Sequence, residues 1–319
     1  MNSASTAVLK GSHKGVADVV VCGAGLCGIS SAFYLSKTSL FDRIVLLEKN
    51  PEGFLRGTSA RSSESFRTLW QDEALQPFMQ RSVDLMLQFR DNVNRESSVE
   101  MSLNMNGYAW LTQQSPPTHR HAQHLAIDPQ HMFSSVLRQR HDFSDMKVHW
   151  GSSQVSKRFP YVNPDFESCL EIGKAGWIDA QQLGSSILHE ARKNCQVDII
   201  SGTAMHEVKQ MPGTSSQTMQ IMTRRTDGCE DSEDLVLESP ILVLAAGPDL
   251  YEAVSSVNKD YLKDLEHRVQ LRNERHFKLM FHDRDRVIPP DSPMMICSDP
   301  VYLKWDADER YALEQEQNS

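Results

Sequence analysis

Residues Asp18 to Glu48 constrain this chain more than any other stretch, because they spell strand, glycine turn, helix and strand in order. Val19-Val20-Val21 has the unbroken apolar composition of a parallel strand buried on both faces. Gly23-Ala24-Gly25-Leu26-Cys27-Gly28 follows as GxGxxG, and a helical segment places Ile29, Ala32, Phe33 and Ser36 on one face. Ile44-Val45-Leu46-Leu47 then forms a second apolar strand ending in Glu48, 20 residues past Gly28. Gly23 permits the tight turn, Gly25 lets a pyrophosphate reach the backbone, and Gly28 lets the helix pack close to the sheet. The helix N-terminus offers unpaired N–H groups and the positive end of a dipole. A carboxylate at Glu48 suits the ribose hydroxyls of an adenosine. In this context the motif predicts dinucleotide binding.

The chain has 319 residues, room for two domains of ordinary size. Its 33 Lys+Arg stand against 42 Asp+Glu, a net charge of −9 that disfavours nucleic acid or an anionic membrane as partner. No apolar run reaches the roughly 20 residues of a membrane-spanning helix. Residues 1–17 read as a disordered tail without the apolar core of a secretory signal, and Gln317-Asn318-Ser319 is not a peroxisomal SKL address, so a cytoplasmic location is expected. The six cysteines include no CxxC pair, in keeping with a reducing compartment, and Cys22 and Cys27 read as buried small hydrophobes.

Periodicity predicts a helix over residues 74–90, a strand at Gly107–Leu111, and a helix N-capped by Asp179 with Gln182 three residues on. Strands are expected at Val197–Ile200, near Met205–Val208 and, fully buried, at Ile241–Leu244. Others are expected around Phe277–Phe281, Met294–Cys297 and Val301–Leu303. His119, His121 and His124 lie in a polar Pro-containing loop unsuited to holding zinc, and residues 230–234 read as a solvated acidic hairpin tip; no metal is expected.

The opening motif alone does not separate NAD from FAD. The loop from Gly57 to Ser63 favours FAD through its backbone and hydroxyl donors, as do the turn Leu244-Ala245-Ala246-Gly247-Pro248 and Gly176-Trp177-Ile178-Asp179 with its capped helix. On these residues, with Gly107-Tyr108-Ala109-Trp110, Phe159-Pro160-Tyr161 and Val287 to Pro293, the chain resembles the FAD-dependent D-amino-acid oxidase-like family, which includes sarcosine and glycine oxidases. The resemblance runs from about Asp18 to about Arg310.

That resemblance implies an α/β fold, with a Rossmann-like FAD-binding domain (18–75 and 170–255) interleaved with a mixed β-sheet substrate domain (76–169 and 256–319). It implies that Gly23, Gly25 and Gly28 meet the pyrophosphate and Glu48 the ribose. Ser59, Arg61 and Ser62 fall in the loop running toward the flavin, Met205 at a backbone position near the adenine, and Ala246 and Gly247 at a turn near the nucleotide. Arg67 falls at an Arg near the substrate face of the flavin, where it would hold a carboxylate; an Arg after a Ser-rich loop can also simply pair with a protein carboxylate. Glu64 stands where relatives commonly have Gly, and Arg61 stands about where some carry a flavin-linking His.

The implied activity is oxidation of a C–N bond in an amine or amino-acid-like small molecule by hydride transfer to flavin. Relatives continue well past Trp305, so the substrate domain is expected to be incomplete, with a sheet edge open to a partner chain or to self-association. Two further readings stay open: a shortened FAD-binding module without turnover, and an NAD(P)-dependent dehydrogenase.

Overall fold

The computed structural model describes residues 14–70, 74–96, 101, 103–113, 145–210, 218–226, 235–257, 276–297, 301–305 and 310–316. The chain divides into two compact units: residues 1–64 with 179–273, and residues 65–178 with 274–319. The first opens with β1 (Lys14–Val16), β2 (Val19–Cys22), α1 (Leu26–Ser36) and β3 (Arg43–Glu48). The chain then enters the second unit with β4 (Ser65–Arg67), α2 (Gln76–Glu96), β5 (Leu103–Asn104) and β6 (Tyr108–Thr112). There follow β7 (Met146–Trp150), α3 (Ser152–Arg158), β8 (Ser168–Ile172) and β9 (Ala175–Ile178). It returns through α4 (Ala180–Arg192), β10 (Gln196–Ser201), β11 (Thr203–Gln210), β12 (Met219–Arg225), β13 (Val236–Ser239), β14 (Ile241–Leu244) and α5 (Leu250–Val257). It closes the second unit with β15 (His276–His282), β16 (Met294–Ile296), β17 (Val301–Trp305) and β18 (Arg310–Glu316).

The first unit is built on a four-stranded sheet in the order β10-β3-β2-β14, with every pair parallel. Its central strands are covered on both faces, which is why they read as continuous apolar runs. Val20, Val45 and Leu47 pack toward Met205, Ile221 and Leu237 of a second sheet, ordered β1-β13-β12-β11. Val21 faces α1, which packs against α4. Val19, Val20, Val21, Ile44, Val45 and Leu46 are fully buried, and each such side chain contributes about 1.5–3 kcal/mol.

The second unit holds a seven-stranded sheet, β15-β18-β17-β16-β6-β8-β7, antiparallel except where β16 runs parallel to β6, and a three-stranded sheet, β4-β9-β5. Alternation along the strands gives the larger sheet two apolar faces. Tyr108, Trp110, Leu170, Ile172, Met294 and Ile296 pack with Leu69, Ala175 and Trp177. Ala109, Leu111, Cys169 and Met295 pack on the other side with Val155 of α3, Phe159 and Phe166.

Several elements differ from the sequence reading. The expected tail of residues 1–17 ends earlier, since Lys14–Val16 pairs in parallel with β13 and Ala17 is buried; residues 1–13 lie outside the described residues. The chain leaves the first unit after Glu64 rather than near residue 75, because Ser65–Arg67 pairs with β9. It re-enters at Asp179 rather than near 170, because β8 belongs to the larger sheet of the second unit. Ile241–Leu244 is only partly buried, since β14 is the outer strand of the parallel sheet. Cys27 is exposed on the first turn of α1, and Cys22 is half-buried at the end of β2. The His119–His124 loop, the acidic stretch 230–234 and residues 317–319 lie outside the described residues.

Candidate functional site

The carboxyl ends of β2, β3 and β14 gather most of the expected cofactor-binding residues, at the edge where open parallel sheets bind ligands. Gly23 follows β2 with φ of +105°, and a Cβ there would stand 2.3 Å from Ala245 O. This binds the glycine turn to the Ala245–Gly247 turn after β14, where Ala245 N donates to Cys22 O at 2.8 Å. A Cβ on Gly28 would lie 1.9 Å from Gly23 O, so the helix could not seat against the sheet. Both glycines are required by the fold itself.

Gly25 is different. It is the N-cap of α1 with φ −76° and ψ −177°, a conformation open to any residue. A Cβ there would meet only Ser59 Oγ, at an ordinary 3.4 Å. Its N-cap residue has no side chain with which to cap the helix, and its first turn carries no acid. The space over the helix N-terminus is a cradle that a side chain would fill and a pyrophosphate can use.

Ser59 lies on a 3-10 turn, Thr58–Ala60, and its Oγ accepts a hydrogen bond from Leu26 N at 3.3 Å. Ser62 Oγ donates to Ser59 O and accepts from Glu64 N at 3.1 Å, which ties the loop together. Arg61 closes the same turn and is exposed. Glu64 takes the left-handed φ of +57° that a glycine would adopt freely. Its Oε1 accepts from Ala180 N at the start of α4, beside the Asp179 cap that accepts from Gln182 N at 2.9 Å. The carboxylate of Glu64 is therefore committed to a helix N-terminus.

The Glu48 carboxylate is held from two sides. Oε2 accepts from Ala24 N at 3.1 Å inside the glycine turn, and Oε1 accepts from Asn50 N at 2.9 Å. A carboxylate has about four acceptor positions, so two donors orient it and leave capacity for ribose hydroxyls. Burial, then the charges of Glu48 and Asp249, push the Cys22 thiol up to about 11. Cys22, at the end of β2, is therefore held in its neutral thiol form. Lys49 and Asp249 pair at the surface beside it, a contact the sequence did not signal.

Met205 is buried in the core between the two sheets of the first unit. The β11–β12 register shifts between Met205 and Glu207, a bulge that interrupts the ladder there. Ala246 is half-buried, and Gly247, with φ of +57°, begins a 3-10 turn.

Arg67 belongs to the second unit. Its guanidinium lies 4.2 Å from the ring centroid of Trp70 and 5.2 Å from that of Trp110. Nε donates to Leu69 O at 3.1 Å, while Trp70 Nε1 donates back to Arg67 O at 3.3 Å. Among the described residues, no carboxylate pairs with Arg67. Trp70 was not singled out in the sequence; the only signal was an indole three residues after an arginine at a strand end.

One further charged cluster occurs in the second unit. Glu171 accepts from His149 Nε2 at 2.9 Å and pairs with Arg158. Burial pulls its carboxyl up, but the hydrogen bonds and charges of Arg158 and His149 outweigh this and hold it below the ordinary carboxylate value. No group of three or more metal-ligating side chains occurs among the described residues, and no described helix is long and apolar enough to cross a membrane.

A parallel sheet carrying this glycine turn and acid, joined by an interleaved mixed-sheet unit, defines a dinucleotide-dependent oxidoreductase. The chain belongs to the family of FAD dependent oxidoreductases, whose model matches residues 18–312, and FAD is its cofactor. No curated protein matches it in sequence. Among solved structures it is similar to glycine oxidase from Geobacillus kaustophilus, at 14% identity and a TM-score of 0.66, covering 96% of this chain and 73% of that one. It is similar also to L-proline dehydrogenase from P. horikoshii, at 15% identity and a TM-score of 0.66, covering 95% and 71%. L-amino acid deaminase from Proteus vulgaris matches at 14% identity and a TM-score of 0.65, covering 96% and 62%. At such identities the likeness fixes the fold.

Proposed function

We propose that this FAD-dependent oxidoreductase oxidises a C–N bond in a small amine or amino-acid-like substrate carrying a carboxylate. The observation that carries this reading is Arg67, a guanidinium packed on two indoles with no carboxylate partner among the described residues. The solved relatives whose names specify glycine, L-proline and L-amino acids support the same substrate class.

The residues present fit the cofactor. Gly25 and the N-terminus of α1 would receive the pyrophosphate, with Ser59, Arg61 and Ser62 in the adjoining loop. Glu48, fixed by Ala24 N and Asn50 N, would hold ribose hydroxyls through charge-assisted hydrogen bonds. The backbone at Met205, where the β11–β12 ladder shifts register, would meet the adenine, and the Ala246–Gly247 turn would lie near the nucleotide. When bound, the flavin supplies a hydride acceptor for the carbon bearing nitrogen. Arg67 would orient the substrate by a bidentate pair with its carboxylate.

Within the same reading, β15 pairs only with β18 among the described strands, so its outer edge is where a partner chain or a second copy would add a strand. The described cysteines are free, which suits a reducing compartment such as the cytoplasm.

The test is an absorbance spectrum of the purified protein during addition of amino acids and amines. Flavin bands bleached by such a substrate support the reading. Flavin bands that no substrate bleaches favour a binding module without turnover. Absent flavin bands with nicotinamide turnover favour a dehydrogenase of the other cofactor class.

A further inference from the structure

Arginine is a long side chain that loses much rotamer freedom when fixed, so an arginine that must present a defined fork needs a device to hold it. Residues 67–70 form such a device. Arg67 Nε donates to Leu69 O and Trp70 Nε1 donates to Arg67 O, closing a reciprocal pair of side-chain-to-backbone bonds within one short turn. The Trp70 carbonyl is itself held by Gln76 Nε2 at 3.1 Å from the first turn of α2. Thr68 Oγ1 anchors the middle of the turn to Lys174 O at 3.3 Å. The guanidinium then rests on the Trp70 ring at 4.2 Å, with the buried Trp110 ring at 5.2 Å. With Nε spent on the backbone, the Nη groups are what remains to meet a ligand.

We propose that Trp70 is the positioning residue of the substrate site: its indole face and its N–H together hold Arg67 so that the guanidinium presents a fixed fork to a monoanionic carboxylate. This rests on the reading of Arg67 as the substrate carboxylate's partner. Trp70 acts only through Arg67. Its loss releases the fork into several rotamers, weakening recognition of the charged group without affecting contacts to the uncharged remainder of the ligand.

The experiment measures binding of cyclohexanecarboxylate and of the isosteric cyclohexanecarboxamide to the FAD-loaded enzyme by calorimetry, with a thermal melt of each variant. In the unmodified enzyme the carboxylate should bind at least about tenfold tighter, the scale of one charge-assisted hydrogen bond. Arg67→Gln should abolish that preference. Trp70→Leu should cut it about tenfold with the carboxamide unchanged, and Trp70→Phe, which keeps a ring face but no N–H, should fall between. A lost preference in Arg67→Gln with a full preference in both Trp70 variants would overturn the positioning role while leaving Arg67 in place. A full preference in Arg67→Gln, or none in the unmodified enzyme, would overturn the underlying reading of Arg67. If Trp70→Leu does not fold, Trp70→Phe decides: a full preference there refutes the N–H lock.

Discussion

Gly25→Val should separate what the fold needs from what the cofactor needs. The valine backbone fits, because φ −76° and ψ −177° lie in the extended region that β-branched residues favour. The added Cβ meets only Ser59 Oγ at 3.4 Å. Removing glycine narrows the unfolded ensemble and stabilises by about 0.4–1 kcal/mol, whereas a poorer N-cap costs about 1 kcal/mol, so the two nearly offset. The apo-protein should melt within about 4 °C of the unmodified chain. The pyrophosphate, however, would be pushed beyond hydrogen-bond distance of the first-turn N–H groups. Losing two charge-assisted bonds of about 1.5–3 kcal/mol each weakens FAD by roughly 10²- to 10⁴-fold. Gly28→Ala is the contrast, since its Cβ would stand 1.9 Å from Gly23 O and should abolish folding. The assay is flavin absorbance per polypeptide after purification, alongside a melt of the apo-protein. A stoichiometric flavin complement in Gly25→Val would refute the pyrophosphate assignment.

Glu48→Ala should weaken FAD by about 10- to 100-fold and also lower apo-protein stability by about 1–3 kcal/mol, since Ala24 N and Asn50 N lose their acceptors; flavin titration and urea unfolding read the two effects separately. Glu64→Gly should be more stable than Glu64→Ala by about 1 kcal/mol in urea, because both lose the contact to Ala180 N but only glycine relieves the φ of +57°. The reverse order would mean the left-handed backbone is unstrained. Arg158→Ala should destabilise most at neutral pH. Glu171 has its folded value depressed, so its contribution is fully present above its unfolded value near 4.5 and is lost as pH falls through the folded value. The gap in melting temperature between Arg158→Ala and the unmodified chain should therefore narrow in acid, and a constant gap would remove Glu171 from the account.

The parallel sheet and its glycine turn were legible because strand, turn, helix and acid sit within one short stretch whose periodicity is local. Asp179 as a helix cap was legible for the same reason. Other features depend on partners distant in sequence. Nothing near Lys14–Val16 signals a strand, because its pairing partner is Val236–Glu238. Ile241–Leu244 is as apolar as Val19–Val21, yet only β2 has neighbours on both edges. Cys27 looked like a core residue by type, but α1 turns it outward while Gly28 and Ile29 face the sheet. Glu64 stands out in the sequence only as a departure from glycine; that its carboxylate serves the N-terminus of α4 follows from a contact across 116 residues. Arg67 was located by resemblance, whereas the indoles that hold it come from the next turn and from a different strand.

The interleaved connectivity also bears on how the chain is made. Ser239 Oγ donates to Asp18 O across 221 residues, and β14 supplies the second edge partner of β2. During synthesis from the N-terminus, β2, α1 and β3 emerge early, yet one edge of β2 stays bare until residues 241–244 have left the ribosome. Pairings between parallel strands so far apart in sequence close slowly, and an apolar strand edge left open in the interval can join other chains. The Gly23 turn is likewise unfinished until Ala245 arrives to pack on it. Cofactor supplied before residue 245 is made therefore finds no completed cradle, and the β2 edge of the nascent first unit stays open to other chains over that interval.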